Sequence, residues 1–186
     1  MAEKSSKGLE RVRIQLSARA AGPSARAARD ASGGQGSEIH EGWREELESA
    51  TREVFEIMAG AWLEKPPAES EPFVTDFTAM VGIAGNLCGL VGLHTSAECA
   101  RRIAAKMLGT EDAGGDAQDA FGEVCNMIAG SFKARIAGLA DGCGLSVPTV
   151  IFGRDFNLFS LARGEHYEVI FTFEGKPLLV TLDVHD

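Results

Sequence analysis

Two helix-like segments seventy residues apart constrain the fold more than any other feature of this chain. Asp119 to Phe132 reads DAFGEVCNMIAGSF, and Ser49 to Trp62 reads SATREVFEIMAGAW. Ala50, Glu53, Val54, Ala59 and Gly60 recur as Ala120, Glu123, Val124, Ala129 and Gly130, while Phe55/Cys125, Met58/Ile128 and Trp62/Phe132 keep apolar character. A chain that repeats an amphipathic helix is expected to consist of two related halves, each opening with that helix. One pair differs in its chemistry: Glu56 stands where the second copy has Asn126. A carboxylate and a carboxamide are similar in shape, but only the carboxamide is neutral beside an anion.

The segments between and after the two copies supply strands. The first helix is expected from about Glu41 to Glu64, carrying Leu47, Val54, Phe55, Met58 and Trp62 at helical period and ended by Pro66 and Pro67. Phe73 to Ile83 and Leu87 to His94 read as a hairpin turning at Gly85-Asn86, and the glycines at 82, 85, 89 and 92 suggest close approach by another backbone. Thr95 or Ser96 caps a second helix that runs to about Leu108 and stops at Gly109. A third helix is expected from about Asp116 to Leu139. Strands follow at about Leu145 to Phe152, Phe156 to Ala162, Tyr167 to Phe173 and Pro177 to Val184, with a hairpin turn at Glu174-Gly175-Lys176. The order predicts a pseudo-symmetric α+β domain over residues 41–186, with three main helices packed on a largely antiparallel sheet. Hairpin signals argue against a doubly wound parallel sheet.

Residues 1–40 are different in kind. Ala20 to Gly36 contains no large aliphatic or aromatic residue, so the segment cannot bury enough apolar surface to offset ordering, and a disordered tail is expected. This tail holds seven Lys/Arg against four Asp/Glu, whereas the remainder holds eleven against twenty-three. An acidic body disfavours nucleic acid or an anionic membrane as partner. No apolar run approaches the roughly 18–20 residues that span a bilayer, and no secretory signal opens the chain, which points to a cytoplasmic protein. Cys88, Cys99, Cys125 and Cys143 have no metal-ligand spacing and read as reduced core residues; the four histidines are equally scattered, so no metal site is expected.

On the third helix, Asp119, Glu123, Asn126 and Gly130 fall at i, i+4, i+7 and i+11 and share one face. Phe121, Cys125, Ile128 and Phe132 occupy the opposite side and should pack on the sheet. Mid-helix Gly130 costs about 1 kcal/mol relative to Ala, and it leaves the polar face low enough for another surface to approach. A polar outer face is also what any amphipathic helix presents, so the spacing by itself does not demand function.

Asp119-x3-Glu123-x2-Asn126-x3-Gly130, with Pro148 following Asn126 after 21 residues, resembles the signature of the CheC/CheX/FliY family of response-regulator phosphatases. VGIAGNLCGLVGLHTSAECARRIAAKMLG, from Val81 to Gly109, is similar to that family's Gly-rich hairpin and following helix. The resemblance implies a phosphatase acting on the aspartyl-phosphate of a CheY-like receiver domain in chemotaxis or a related two-component pathway. Asn126 would orient the attacking water and Glu123 would pair with the receiver's active-site Lys. Asp119 and Gly130 would belong to the docking face. Mg²⁺ would sit in the receiver, not in this chain. Two complete sites mark CheC-like members and one marks CheX-like members; Glu56 in place of a carboxamide matches the one-site, CheX-like arrangement, for which a homodimer is expected. A non-catalytic adaptor that docks receivers or flagellar-switch components is the alternative of a different class.

Overall fold

A computed structural model describes residues 42–66, 75–153 and 164–185. Among the described residues, three α-helices cover one face of a six-stranded antiparallel sheet. In chain order these are α1 (Trp43–Ala59), β1 (Phe77–Gly85), β2 (Cys88–Thr95), α2 (Ala97–Leu108), α3 (Ala117–Arg135), β3 (Cys143–Leu145), β4 (Thr149–Phe152), β5 (Gly164–Phe173) and β6 (Lys176–His185). A short 3₁₀ turn, Gly114–Asp116, leads into α3. The expected tail over residues 1–40 and the expected strand from Phe156 to Ala162 lie outside the described residues.

The sheet order is β3-β1-β2-β6-β5, with β4 also on β1. Two hairpins, β1–β2 and β5–β6, therefore meet through their second strands, and β2 pairs antiparallel with β6 from Cys88↔His185 to Thr95↔Leu178. The arrangement carries the pseudo-symmetry of the two halves. The segment after α3 lies on the outer edge of β1 as β3 and β4. The segment after α1 touches the outer edge of β5 through one bridge, in which Glu64 and Thr172 exchange two backbone hydrogen bonds of 2.9 Å.

Alternation along each strand sends one set of side chains to the helices. Phe77, Ala79, Val81 and Ile83 of β1, Val91 and Leu93 of β2, Phe171 and Phe173 of β5, and Leu178, Val180, Leu182 and Val184 of β6 join one core with the apolar faces of the helices. Phe121, Cys125, Ile128 and Phe132 are wholly buried in it. Aromatic edges tie the layers, with Trp43 against Phe132 at 5.8 Å and Phe77 against Phe121 at 5.1 Å between ring centroids.

Local signals explain the clean boundaries. Ser96 accepts from the Cys99 amide at the start of α2, and Gly109, at φ 66°, ends it. The β5–β6 turn consists of Glu174 and Gly175, both at positive φ, with Phe173 and Lys176 as the closing pair. Gly85 admits no side chain, because a Cβ there would collide with the Gly142 carbonyl as β3 passes. The close approach anticipated for the glycine-rich hairpin is thus real at this position.

Four expectations are corrected. The first helix ends at Ala59, not near Glu64, because Gly60 adopts the left-handed conformation (φ 56°) and caps it. Trp62 consequently leaves the helical register and is 77% exposed, whereas its repeat counterpart Phe132 is buried. The third helix ends at Arg135, and the expected strand from Leu145 to Phe152 is broken into β3 and β4. Cys88 is exposed, since it starts β2 on the face turned away from the helices; Cys99, Cys125 and Cys143 are buried.

Candidate functional site

The polar face of α3 is built by the same geometry that buries its apolar face. Asp119 and Glu123 are exposed, and Asn126 and Gly130 are half-buried. The asymmetry arises because one flank of the helix abuts the edge strands. A Cβ placed on Gly122 would approach Val150 Cγ2 to 3.2 Å and Pro148 Cβ to 3.3 Å, and one on Gly130 would lie 3.9 Å from Leu145 Cδ1. Asn126 lies one turn from each glycine, on the flank of α3 beside β3 and β4, and is half-buried while Glu123 is exposed.

Asn126 Nδ2 lies 3.5 Å from Glu123 Oε2, at the long limit of a hydrogen bond. The two groups thus meet at the helix surface without being locked to the rest of the protein. Glu123 makes no ion pair among the described residues. The pair presents one anionic and one neutral hydrogen-bonding group to an incoming surface.

The first copy is arranged otherwise. Glu53, the repeat counterpart of Glu123, accepts from Arg135 Nη2 and from Ser131 Oγ, each at 2.8 Å. These donors hold its carboxyl below the usual carboxylate range, the Arg135 hydrogen bond being the larger cause. Arg135 also reaches Glu46 at 3.6 Å. The carboxylate that the repeat preserves in α1 is therefore used to fasten α1 to α3. Glu56 is exposed on α1. Sequence spacing could not have shown this capture, because Ser131 and Arg135 come from the other half of the chain.

Pro148 packs on Gly122, one residue before Glu123. The structure thus brings together Asp119, Glu123, Asn126, Gly130 and Pro148 along one helix and its neighbouring edge strand. Among the described residues no group of three or more His, Cys, Asp or Glu side chains is placed to hold a metal ion. No described helix is long and apolar enough to cross a membrane.

The sequence model of the family described as chemotaxis phosphatase CheX matches residues 77–173, a span that contains α3 and its polar face. Similar solved structures include chemotaxis protein CheX from Desulfovibrio desulfuricans, at 25% identity and TM-score 0.63 over 80% of this chain and 99% of that one. CheX from Vibrio vulnificus aligns at 18% identity and TM-score 0.64, covering 77% of this chain and 96% of the other. The CheX–CheY–BeF3–Mg²⁺ complex from Borrelia burgdorferi aligns at 22% identity and TM-score 0.62 over 77% and 98% of the respective chains. No curated protein sequence matches the chain. With the family's own sequence pattern covering just over half of its length, and its fold shared with these structures, this chain belongs to the CheX family of chemotaxis phosphatases.

Proposed function

We propose that this protein hydrolyses the aspartyl-phosphate of a CheY-like receiver domain, with Asn126 positioning the attacking water and Glu123 pairing with the receiver's active-site Lys. The observation that carries the reading is the Glu123–Asn126 pair, surface-placed and 3.5 Å apart, on the helix that the family pattern spans. The Borrelia burgdorferi CheX structure, solved with CheY, BeF3 and Mg²⁺, supports a receiver as partner.

The chemistry asks little of the protein beyond placement. Water attacks phosphorus in line, a new P–O bond forms, and the bond to the aspartyl oxygen breaks. The leaving group is a carboxylate and needs no proton; both protons of the water end on the phosphate. An acyl-phosphate dianion and water thus become a carboxylate and dihydrogen phosphate with charge conserved. No protein base is required, so a carboxamide suffices. Asn126 can accept from the water through its carbonyl and donate through its amide, without adding charge beside the phosphoryl oxygens. An ionised Glu in the same place would repel them.

Glu123 fixes the register. An incoming ammonium competes for its carboxylate with the long contact from Asn126, and the charge-assisted bond is the stronger. The amide of Asn126 is thereby released for the water. Divalent metal belongs to the receiver's own carboxylates, Mg²⁺ being the expected ion. The chain has one working site, on α3. Glu53 is committed to Arg135, and Glu56 supplies an anion where a neutral group is needed. Asp119 and Gly130 complete the docking face. A homodimer through sheet or hairpin contacts is expected, and light scattering over a broad concentration range checks the pairing.

The deciding experiment follows the decay of a phosphorylated receiver with wild type and with Asn126→Ala. Removing a water-positioning group should lower kcat by about 10²-fold or more. Equal acceleration by the two proteins would overturn the assignment. A protein that binds the phosphorylated receiver without shortening its lifetime would instead be an adaptor.

A further inference from the structure

The connection between β3 and β4 contains an uncommon pairing of rigidity and exposure. Both strands pair with β1, at Ile83↔Leu145 and Met80↔Thr149. Between those partners β1 has two residues, Val81 and Gly82, and the edge strand has three, Ser146, Val147 and Pro148. One extra residue on one side is a β-bulge, a device that re-aims side chains. Its ends are fastened. The Ser146 amide donates to the Gly82 carbonyl and the Gly82 amide donates to Ser146 Oγ, each at 2.9 Å. The Ser146 hydroxyl in turn reaches the Val147 carbonyl at 2.9 Å, and Pro148 is seated on Gly122.

Val147 is left 82% exposed by this arrangement, the largest exposure of any described large hydrophobic residue. Its place along the helix follows from its neighbours. Leu145 faces Gly130, Pro148 and Val150 face Gly122, and Asn126 lies one turn from each glycine. Val147 therefore falls, along the chain, between the residues that face Gly130 and Gly122, beside the stretch of α3 that carries Asn126. A body that approaches the Asn126 amide from solvent meets the same edge, where Val147 is the exposed apolar group.

We infer that Val147 is a docking residue, which the bulge presents to an apolar spot on the receiver surface beside the phosphorylated aspartate. This rests on the receiver-phosphatase reading and extends it. The choice of a receiver as occupant follows from continuity: the same approach that engages Glu123 and Asn126 covers Val147, and no second approach is needed. Burial of a rigid valine contributes affinity with little ordering cost, because the backbone is already held from both sides. The contact is equal in ground and transition states, so it sets the receiver concentration required and not the rate of the chemical step.

The test measures steady-state dephosphorylation against receiver concentration for the full chain and for Val147→Ser, Val147→Ile and Asn126→Ala. Val147→Ser should raise KM roughly tenfold with kcat within about twofold of wild type, and Val147→Ile should restore wild-type KM. Because the side chain is exposed, the thermal midpoints of the two Val147 variants should match wild type, which separates docking from folding. Unchanged KM in Val147→Ser, with Asn126→Ala inactive, overturns the docking inference and leaves the phosphatase reading intact. Should no variant and not even the wild type shorten the receiver's phosphorylated lifetime, the phosphatase reading fails. A titration of Val147→Ser against phosphorylated receiver then decides the docking role by itself, an unchanged Kd overturning it.

Discussion

Gly122 and Gly130 lie two turns apart on α3, and alanine at each should have different consequences. In a helix interior the change from Gly to Ala is favourable by about 1 kcal/mol, chiefly because the unfolded chain loses freedom. At Gly130 nothing opposes the gain: the new Cβ would meet Leu145 Cδ1 at 3.9 Å, an ordinary van der Waals separation. Gly130→Ala should therefore stabilise by about 1 kcal/mol, raising Tm by roughly 2–4 °C in a domain of this size. At Gly122 the new Cβ would lie 3.2 Å from Val150 and 3.3 Å from Pro148. Those atoms belong to the bulge and the strand after it, and Ser146 is tied twice to Gly82, so they can retreat only at a cost. Overpacking of about 1–3 kcal/mol cancels or exceeds the helical gain, leaving Gly122→Ala between neutral and about 2 kcal/mol less stable than wild type. Urea unfolding of both variants and wild type at one pH measures the difference, provided the m-values agree. If Gly122→Ala gained as much as Gly130→Ala, the bulge would be compliant, and the argument that it holds Val147 rigidly would fall with it.

Two histidines should give stability a dependence on pH from both sides. His94, enclosed between Thr78 and Thr181, has its pKa lowered by burial to about 4. The unfolded chain then takes up a proton that the folded chain refuses, so stability should fall by about 3 kcal/mol as pH drops from 6.5 to 4. His166, between Asp183 at 2.8 Å and Glu168 at 2.9 Å, is raised to about 9, the hydrogen bond to Asp183 being the largest cause. Its contribution is complete below pH 6.5 and is lost as pH rises through 9; because the ring is 42% exposed, screening reduces it to about 1 kcal/mol. Imidazole NMR titrations check both, and a midpoint near 6.5 for either ring contradicts its placement. Glu123→Gln should raise the receiver concentration required by about tenfold or more, whereas Glu53→Gln should leave dephosphorylation unchanged and alter stability by no more than about 1 kcal/mol. Steady-state kinetics of the two variants, compared side by side, tests whether the halves differ as their hydrogen bonds imply.

The sequence made visible whatever is decided within a few residues. Ser96 and Gly109 bound α2 by local capping, Glu174-Gly175 turns a hairpin, and the period of Phe121, Cys125, Ile128 and Phe132 gave the buried side of α3. The face carrying Asp119, Glu123, Asn126 and Gly130 followed from the same period. Less visible were features decided by a partner distant along the chain. Gly60 and Gly130 occupy one position of the repeat, yet the first ends a helix and the second lies within one. Helix termination there depends on where the following segment is drawn, and Glu64 is drawn to Thr172. The division of Leu145 to Phe152 into two strands requires the register of β1, which no periodicity in the segment itself reveals. The capture of Glu53 by Arg135 spans 82 residues and leaves no trace in either local pattern.

The position of β6 has a consequence for how the molecule is assembled. β6 is an interior strand, seated between β2 and β5, although it is contributed by residues 176–185. The β1–β2 hairpin can form early from near neighbours, but its central edge stays unfilled until Lys176–His185 arrives from more than eighty residues away. A chain interrupted before Lys176 would hold α3 with its Glu123–Asn126 face and yet lack the strand that joins the two halves. Nascent chains of that length should expose a bare, apolar β2 edge to one another, so the danger of aggregation is concentrated in the interval before β6 is made.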